Sequence, residues 1–173
     1  RRRGISTYFP GRVVSMFPEE LANQRCSLLA GEERSVLACQ MTISADGEIS
    51  EYRINTARIR SRTRLSYQQV AEFIDDSDAD IDCKATVTSV AAAAMALRQH
   101  RDAHHIIVED RAEYKLLLND QGKIEHIEPE HKNSAHRLVE ECMVAANRCA
   151  ADMLGQQGVF NCHRGFRPER LRD

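Results

Sequence analysis

Residues 34–59 read Arg34-Ser-Val-Leu-Ala-Cys-Gln-Met-Thr-Ile43-Ser-Ala-Asp-Gly47-Glu48-Ile-Ser-Glu-Tyr-Arg-Ile-Asn-Thr-Ala-Arg-Ile59. Leu37, Cys39, Met41 and Ile43 recur with period two, the spacing of one face of a β-strand. Ala45, Asp46 and Gly47 supply turn chemistry and Glu48–Ile59 runs back, so the stretch predicts a β-hairpin. Alternation lapses around Asn55 to Ala57, which predicts a bulge there.

Helical patterns flank the hairpin downstream. Leu65–Ile74 predicts a short helix that begins near Ser66, whose hydroxyl can cap orphan N–H groups, with Val70 and Phe73 facing inward. After an acidic loop, Asp75–Asp82, a second helix is predicted over Lys84–His100, with Val87, Val90, Ala91, Ala94 and Leu97 along one stripe. His104–Val108 and Tyr114–Leu118 predict strands. A turn at Asn119–Gly122 then leads into a strand over Lys123–Glu128, which Pro129 is expected to end. Asn133 caps a long helix predicted to reach Leu154, where Gly155 and Gly158 stop it, and Val159–His163 predicts a last short strand. Upstream, Arg12–Phe17 reads as a short extended piece before Pro18. The implied class is α+β: a mixed, largely antiparallel sheet packed by helices.

A chain of 173 residues is one domain's worth, and 42% apolar with 29% charged residues excludes a disordered or fibrous protein. No apolar run approaches the ~18 residues that would cross a bilayer. The sequence therefore predicts a soluble, unexported, cytoplasmic protein with no membrane partner. Six cysteines without a CxxC pair fit small buried hydrophobes in a reducing compartment better than a disulfide frame or a zinc site. The formal charge of −2 hides an asymmetry: residues 1–70 carry 11 basic and 7 acidic side chains, residues 71–173 carry 13 and 19. Arginine outnumbers lysine 20 to 4. A guanidinium matches phosphate oxygens with a planar fork of donors, so Arg1, Arg2, Arg3, Arg12, Arg58, Arg60, Arg62 and Arg64 are candidate backbone grips for nucleic acid; a solvated strand face accounts for them equally.

The helix at 134–154 is apolar around much of its circumference and is expected to be buried on most sides. His136, Arg137, Glu140 and Asn147 nevertheless share a side. A carboxylate there must face a polar cleft, pair with Arg137, or both, which makes the stripe a place to look for a ligand; an internal ion pair is the structural alternative. The acidic loop does not complete a calcium motif, since Ile81 replaces the required glycine at its sixth position and Val87 the glutamate at its twelfth. No GxSxG, P-loop or HExxH motif is present, so no catalytic or metal-binding residue is assigned.

Several runs carry a resemblance. Arg3-Gly-Ile-Ser-Thr-Tyr-Phe-Pro10, Met16-Phe-Pro-Glu-Glu-Leu21, Cys26-Ser-Leu28, Cys39-Gln-Met-Thr-Ile-Ser-Ala-Asp-Gly47, Arg64-Leu-Ser-Tyr67 and His136-Arg-Leu-Val-Glu-Glu-Cys-Met-Val-Ala-Ala-Asn147 resemble, in order, the middle of the RNB catalytic domain of the ribonuclease II and ribonuclease R family. The closing Asn161-Cys-His-Arg-Gly-Phe166 leans toward ribonuclease II.

The resemblance implies a 3′-to-5′ exoribonuclease that hydrolyses single-stranded RNA processively to nucleoside 5′-monophosphates with magnesium, without DNA as a partner, and as a monomer when complete. By motif, Tyr8 resembles the aromatic residue that holds the terminal base, and Tyr67 with Glu140 resembles the pair that recognises ribose, where a carboxylate accepts the 2′-hydroxyl proton. Tyr8 and Tyr67 also have a physical warrant of their own, since any base stacks on an aromatic face. Where the ribonuclease II branch carries a base-stacking phenylalanine, this chain has Val108. The family's magnesium-binding aspartates align upstream of Arg3 and its assisting arginine downstream of Asp173, so residues 1–173 are expected to be an internal part of one RNB domain, inactive alone. A non-catalytic single-stranded RNA-binding module, or a relic that binds nothing, are the competing readings.

Overall fold

The computed structural model describes residues 4–76, 79–104 and 113–160. Along the described residues two antiparallel hairpins, two helices, a third hairpin and a third helix follow in order, in the α+β class that the periodicities imply. The hairpins pair β1 (Thr7–Phe9) with β2 (Arg12–Val14), β3 (Glu33–Ile43) with β4 (Ile49–Arg60), and β5 (Glu113–Leu118) with β6 (Ile124–Glu130). Among the described residues each remains a separate two-stranded sheet, where one mixed sheet was expected, and the parallel element is a lone bridge between Ala30 and Ser61. A helical turn over Glu20–Arg25, unforeseen from the sequence, leads from β2 toward β3.

The central hairpin forms where its pattern places it, and departs from the pattern in two respects. Asn55–Ala57 pairs in register with Ala38–Val36, and the irregularity falls instead beside the turn, where Thr42 faces Glu51 but Ile43 faces Ile49. Leu37 is 73% exposed although it shares a face with Cys39 and Met41. The reason is coverage. The long helix meets this face through a Tyr52 hydroxyl that donates to Asp152 at 2.6 Å and a contact between the Cys39 and Cys149 thiols, and neither involves Leu37. The turn itself docks on the second helix, where His100 Nδ1 donates to the Asp46 carbonyl at 3.1 Å.

The helices are α1 (Tyr67–Asp75), α2 (Lys84–Ala103) and α3 (Ser134–Leu154), and the core lies among them: Ala71 and Phe73 from α1, Val87, Ala94 and Leu97 from α2, Ala135, Ala145 and Cys149 from α3. Removing a side chain such as Phe73 from water contributes ~1.5–3 kcal/mol. Both α1 and α3 start with a reciprocal capping box, Ser66 with Gln69 and Asn133 with His136. Each box satisfies two of the backbone N–H groups that a helix start leaves without partners. α3 is buried on one face only, with Met143 at 59% and Met153 at 55% exposed, because the other helices cover just the side that carries its small residues. Pro129 lies inside β6 opposite Tyr114 and does not end it; a two-stranded ladder has a free outer edge where a missing N–H costs nothing. Cys26 and Cys83 are exposed, unlike the buried cysteines expected, since one closes the Glu20–Arg25 turn and the other precedes α2. His104 caps the end of α2, Val159 and Phe160 form no strand, and residues 105–108 and 161–163 of the two remaining strand expectations lie outside the described residues.

Candidate nucleic-acid interface

Two helix starts meet at one corner of the molecule. Tyr67 is the first residue of α1, directly after the Ser66 cap, and His136 occupies the third position of α3, after the Asn133 cap. Their rings stack with centroids 4.0 Å apart and planes 10° from parallel. Asn133 joins the two helices, its Nδ2 donating to the Tyr67 carbonyl at 3.5 Å while its Oδ1 accepts the His136 backbone N–H at 3.0 Å. Glu140 follows His136 by one helical turn, on the same side of α3. Its carboxylate is 37% exposed, and Lys132 Nζ stands 3.7 Å away. The expected Glu140–Arg137 pair does not form. Lys132 takes that place because it precedes the cap and lies beside the first turn.

The buried carboxylate of α3 is the neighbouring Glu141, at 3% exposure. Arg101 reaches its Oε1 at 2.7 Å and Arg98 at 3.5 Å, while Arg98 also holds Asp102 at 2.9 Å. These charges raise the Arg98 guanidinium further above its usual range, the Asp102 hydrogen bond first among the causes. The two adjacent carboxylates of α3 therefore differ in role: Glu141 fastens α3 to α2, and Glu140, on the polar stripe, stays available at the surface. A signal for this was present in the sequence, since Glu141, Ala145 and Cys149 follow at intervals of four, on the small-residue face that packs.

Beside Tyr67 lies a cavity of about 390 Å³, walled mainly by Leu65, just before α1, and by Val70, Val87, Val90, Leu138 and Val139 from the three helices. Val90 is 36% exposed despite lying on the apolar stripe of α2 because it faces this space. The opening is apolar with Tyr67 at its edge, and Glu140 follows one residue after Val139 in its wall.

Tyr8 sits elsewhere. It lies in β1 opposite Val13, is 77% exposed, and its hydroxyl makes no hydrogen bond among the described residues. A Cβ on Gly11, in the adjoining turn, would touch Leu118 at 3.6 Å, which places this hairpin against the end of β5. No described contact joins Tyr8 to Tyr67 or Glu140. Of the arginines, Arg58 and Arg60 both engage Glu33 across the central hairpin, at 2.8 and 2.9 Å on exposed side chains. Such surface pairs are weak. Arg1–Arg3 and Val108 lie outside the described residues.

A family profile described as the RNB domain matches residues 1–173. The chain belongs to the RNB domain family. This RNB chain is 35% identical over its whole length to an Exoribonuclease 2 of Vibrio vulnificus, of which it spans 27%, and 38% identical over 99% of its length to an Exoribonuclease 2 of Psychromonas ingrahamii, of which it spans 28%. The structure of Mycoplasma genitalium RNase R in complex with ribose methylated single-stranded RNA superposes with a TM-score of 0.81 at 26% identity, over 91% of this chain and 26% of that one. The RNB chain thus spans about a quarter of the length of the relatives it matches.

Among the described residues no three Asp, Glu, His or Cys side chains converge in a way that fits a metal ion. The described part of the acidic loop does not gather into such a group, and Asp78 lies outside it. Also among the described residues, no helix is long and apolar enough to cross a membrane.

Proposed function

We propose that this chain is the RNA-gripping part of a 3′-to-5′ exoribonuclease that hydrolyses single-stranded RNA to nucleoside 5′-monophosphates. The observation that supports the reading is the stack of Tyr67 on His136, which stands one helical turn before Glu140 on α3. A phenol at the rim of an apolar opening and a carboxylate held by one loose lysine contact are suited to a ribose: the sugar edge lies on the aromatic ring and Glu140 accepts the 2′-hydroxyl proton. The family membership, the names of the Exoribonuclease 2 relatives and the RNA-bound RNase R neighbour support the same reading. Tyr8, free and exposed on its hairpin, is suited to stack on a base, at a point separate from the ribose pair.

Magnesium dependence, a cytoplasmic working place and a monomeric state belong to this proposal through the family resemblance. Since the described residues offer no fitting ligand set, no chemical step is assigned to magnesium here.

The test is equilibrium binding of a single-stranded RNA oligomer and the DNA oligomer of the same sequence to the full-length protein, with divalent cations chelated. Glu140→Ala is expected to lower the RNA-over-DNA preference by ~1.5–3 kcal/mol, the size of a hydrogen bond to a charged group. Tyr8→Ala is expected to weaken both ligands alike by ~1–3 kcal/mol. An unchanged preference in Glu140→Ala would defeat the ribose assignment.

A further inference from the structure

The ribose reading uses Tyr67 and Glu140 and leaves the residue between them without a task. His136 lies flat on Tyr67, 4.0 Å between centroids and 10° between planes. Its ring is fixed from below. Asn133 Oδ1 stands 2.7 Å from His136 Nδ1, a contact whose donor depends on the tautomer of the ring. The Asn133 backbone N–H approaches the same ring nitrogen at 3.4 Å. Asn133 also holds the Tyr67 carbonyl, so one residue ties down both members of the stack. Tyr67 itself is 47% exposed and sits at a helix start, where little else restrains its side chain. A phenol in that position swings about two torsions unless a neighbour selects one ring plane.

We infer that His136 is a positioning residue for ribose recognition: its imidazole, locked by Asn133, sets the plane of the Tyr67 ring so that the phenol and the Glu140 carboxylate address the same sugar. The inference rests on the ribose reading of Tyr67 and Glu140 and adds the residue that aligns them. The competing role for His136 is purely structural, as the reciprocal partner in the capping box of α3.

Two substitutions separate these roles in opposite directions. His136→Gln keeps the capping box, since glutamine serves well at the third helical position, and removes the ring. His136→Phe keeps a flat ring and removes the hydrogen bond to Asn133. Binding of matched RNA and DNA oligomers to the full-length variants, without divalent cations, is read alongside their melting temperatures. If His136 positions Tyr67, His136→Gln melts near the wild type yet loses about 3- to 10-fold in RNA-over-DNA preference, the range expected for a lost aromatic pair. His136→Phe then melts lower and keeps most of the preference. If His136 only caps the helix, His136→Gln matches the wild type in both readouts, and the inference is overturned. Glu140→Ala is the control: loss of preference there with none in His136→Gln sinks only the positioning role, whereas no loss in Glu140→Ala sinks the ribose reading and the positioning role with it.

Discussion

Glu140 and Glu141 are adjacent in sequence and opposite in circumstance. A rotation of 100° separates them on α3, which carries one into the interface with α2 and leaves the other at the surface. Glu141 has two arginines and almost no water, so its removal leaves two cations without a shared counterion. Breaking a buried pair costs ~3–5 kcal/mol, and since Arg98 is 38% exposed and can rehydrate, Glu141→Ala is expected to cost ~2–3 kcal/mol in a denaturant melt. Glu140→Ala is expected to leave stability unchanged within ~0.5 kcal/mol, as the Lys132 contact is long and solvated. The two variants therefore divide a stability role from a binding role between neighbouring carboxylates. Equal stability losses would contradict this division.

Between elements, the ties are few and specific. Tyr52 and Cys39 lie on one face of the central hairpin, Asp152 and Cys149 on one face of α3, and each residue of the first pair meets one of the second. The hydrogen bond to Asp152 pushes the Tyr52 phenol up from its ordinary 10.0 to about 12. Because the folded value is the raised one, the contribution of this tie is fully present below pH 10 and is lost as pH climbs through 12. Tyr52→Phe is accordingly expected to abolish the highest step in a phenolate absorbance titration, and to narrow the gap in stability to the wild type over that same window. Burial pushes the Cys149 thiol up too, reinforced by Cys39 beside it.

The hairpin turn is bound to α2 more tightly than any side chain would allow. Gly47 has φ +77°, and a Cβ there would fall on the Ala96 carbonyl oxygen and within 2.8 Å of the His100 Cβ. Gly122, at φ +73° in the β5–β6 turn, has open space around it. Gly122→Ala is expected to cost ~1–2 kcal/mol from backbone strain alone. Gly47→Ala adds a backbone collision and is expected to cost at least ~2 kcal/mol more. Denaturation midpoints of the two variants check the difference, and equal costs would mean that the turn can lift off α2 freely.

At the scale of the whole molecule, surface dominates. Among the described residues, exposed large apolar side chains outnumber the buried ones. Among the described residues, buried apolar side chains are confined to the three helices, while Phe9, Leu37, Tyr114, Ile127 and Met143 all exceed half exposure. Among the described residues the three hairpins stay separate and present unpaired edges. Residues 1–173 expressed by themselves are therefore expected to bind an apolar-sensing dye, melt over a broad range and associate with concentration. A sharp, concentration-independent melt without dye binding would contradict that expectation.

The sequence by itself determined the elements and their family. Period-two spacing at 37–43 gave a strand, Ser66 and Asn133 marked helix starts that the capping boxes confirm, and the runs at 64–67 and 136–147 carried the likeness to the RNB domain. Such features are local, fixed by a few neighbouring residues and by backbone hydrogen bonding. Tertiary structure alone decided that Leu37 stays in water and that Tyr67 stacks on His136. Periodicity assigns each side chain an angle about its own axis. Whether that angle points into protein or into solvent depends on which distant segment covers it, and that is a property of packing between elements.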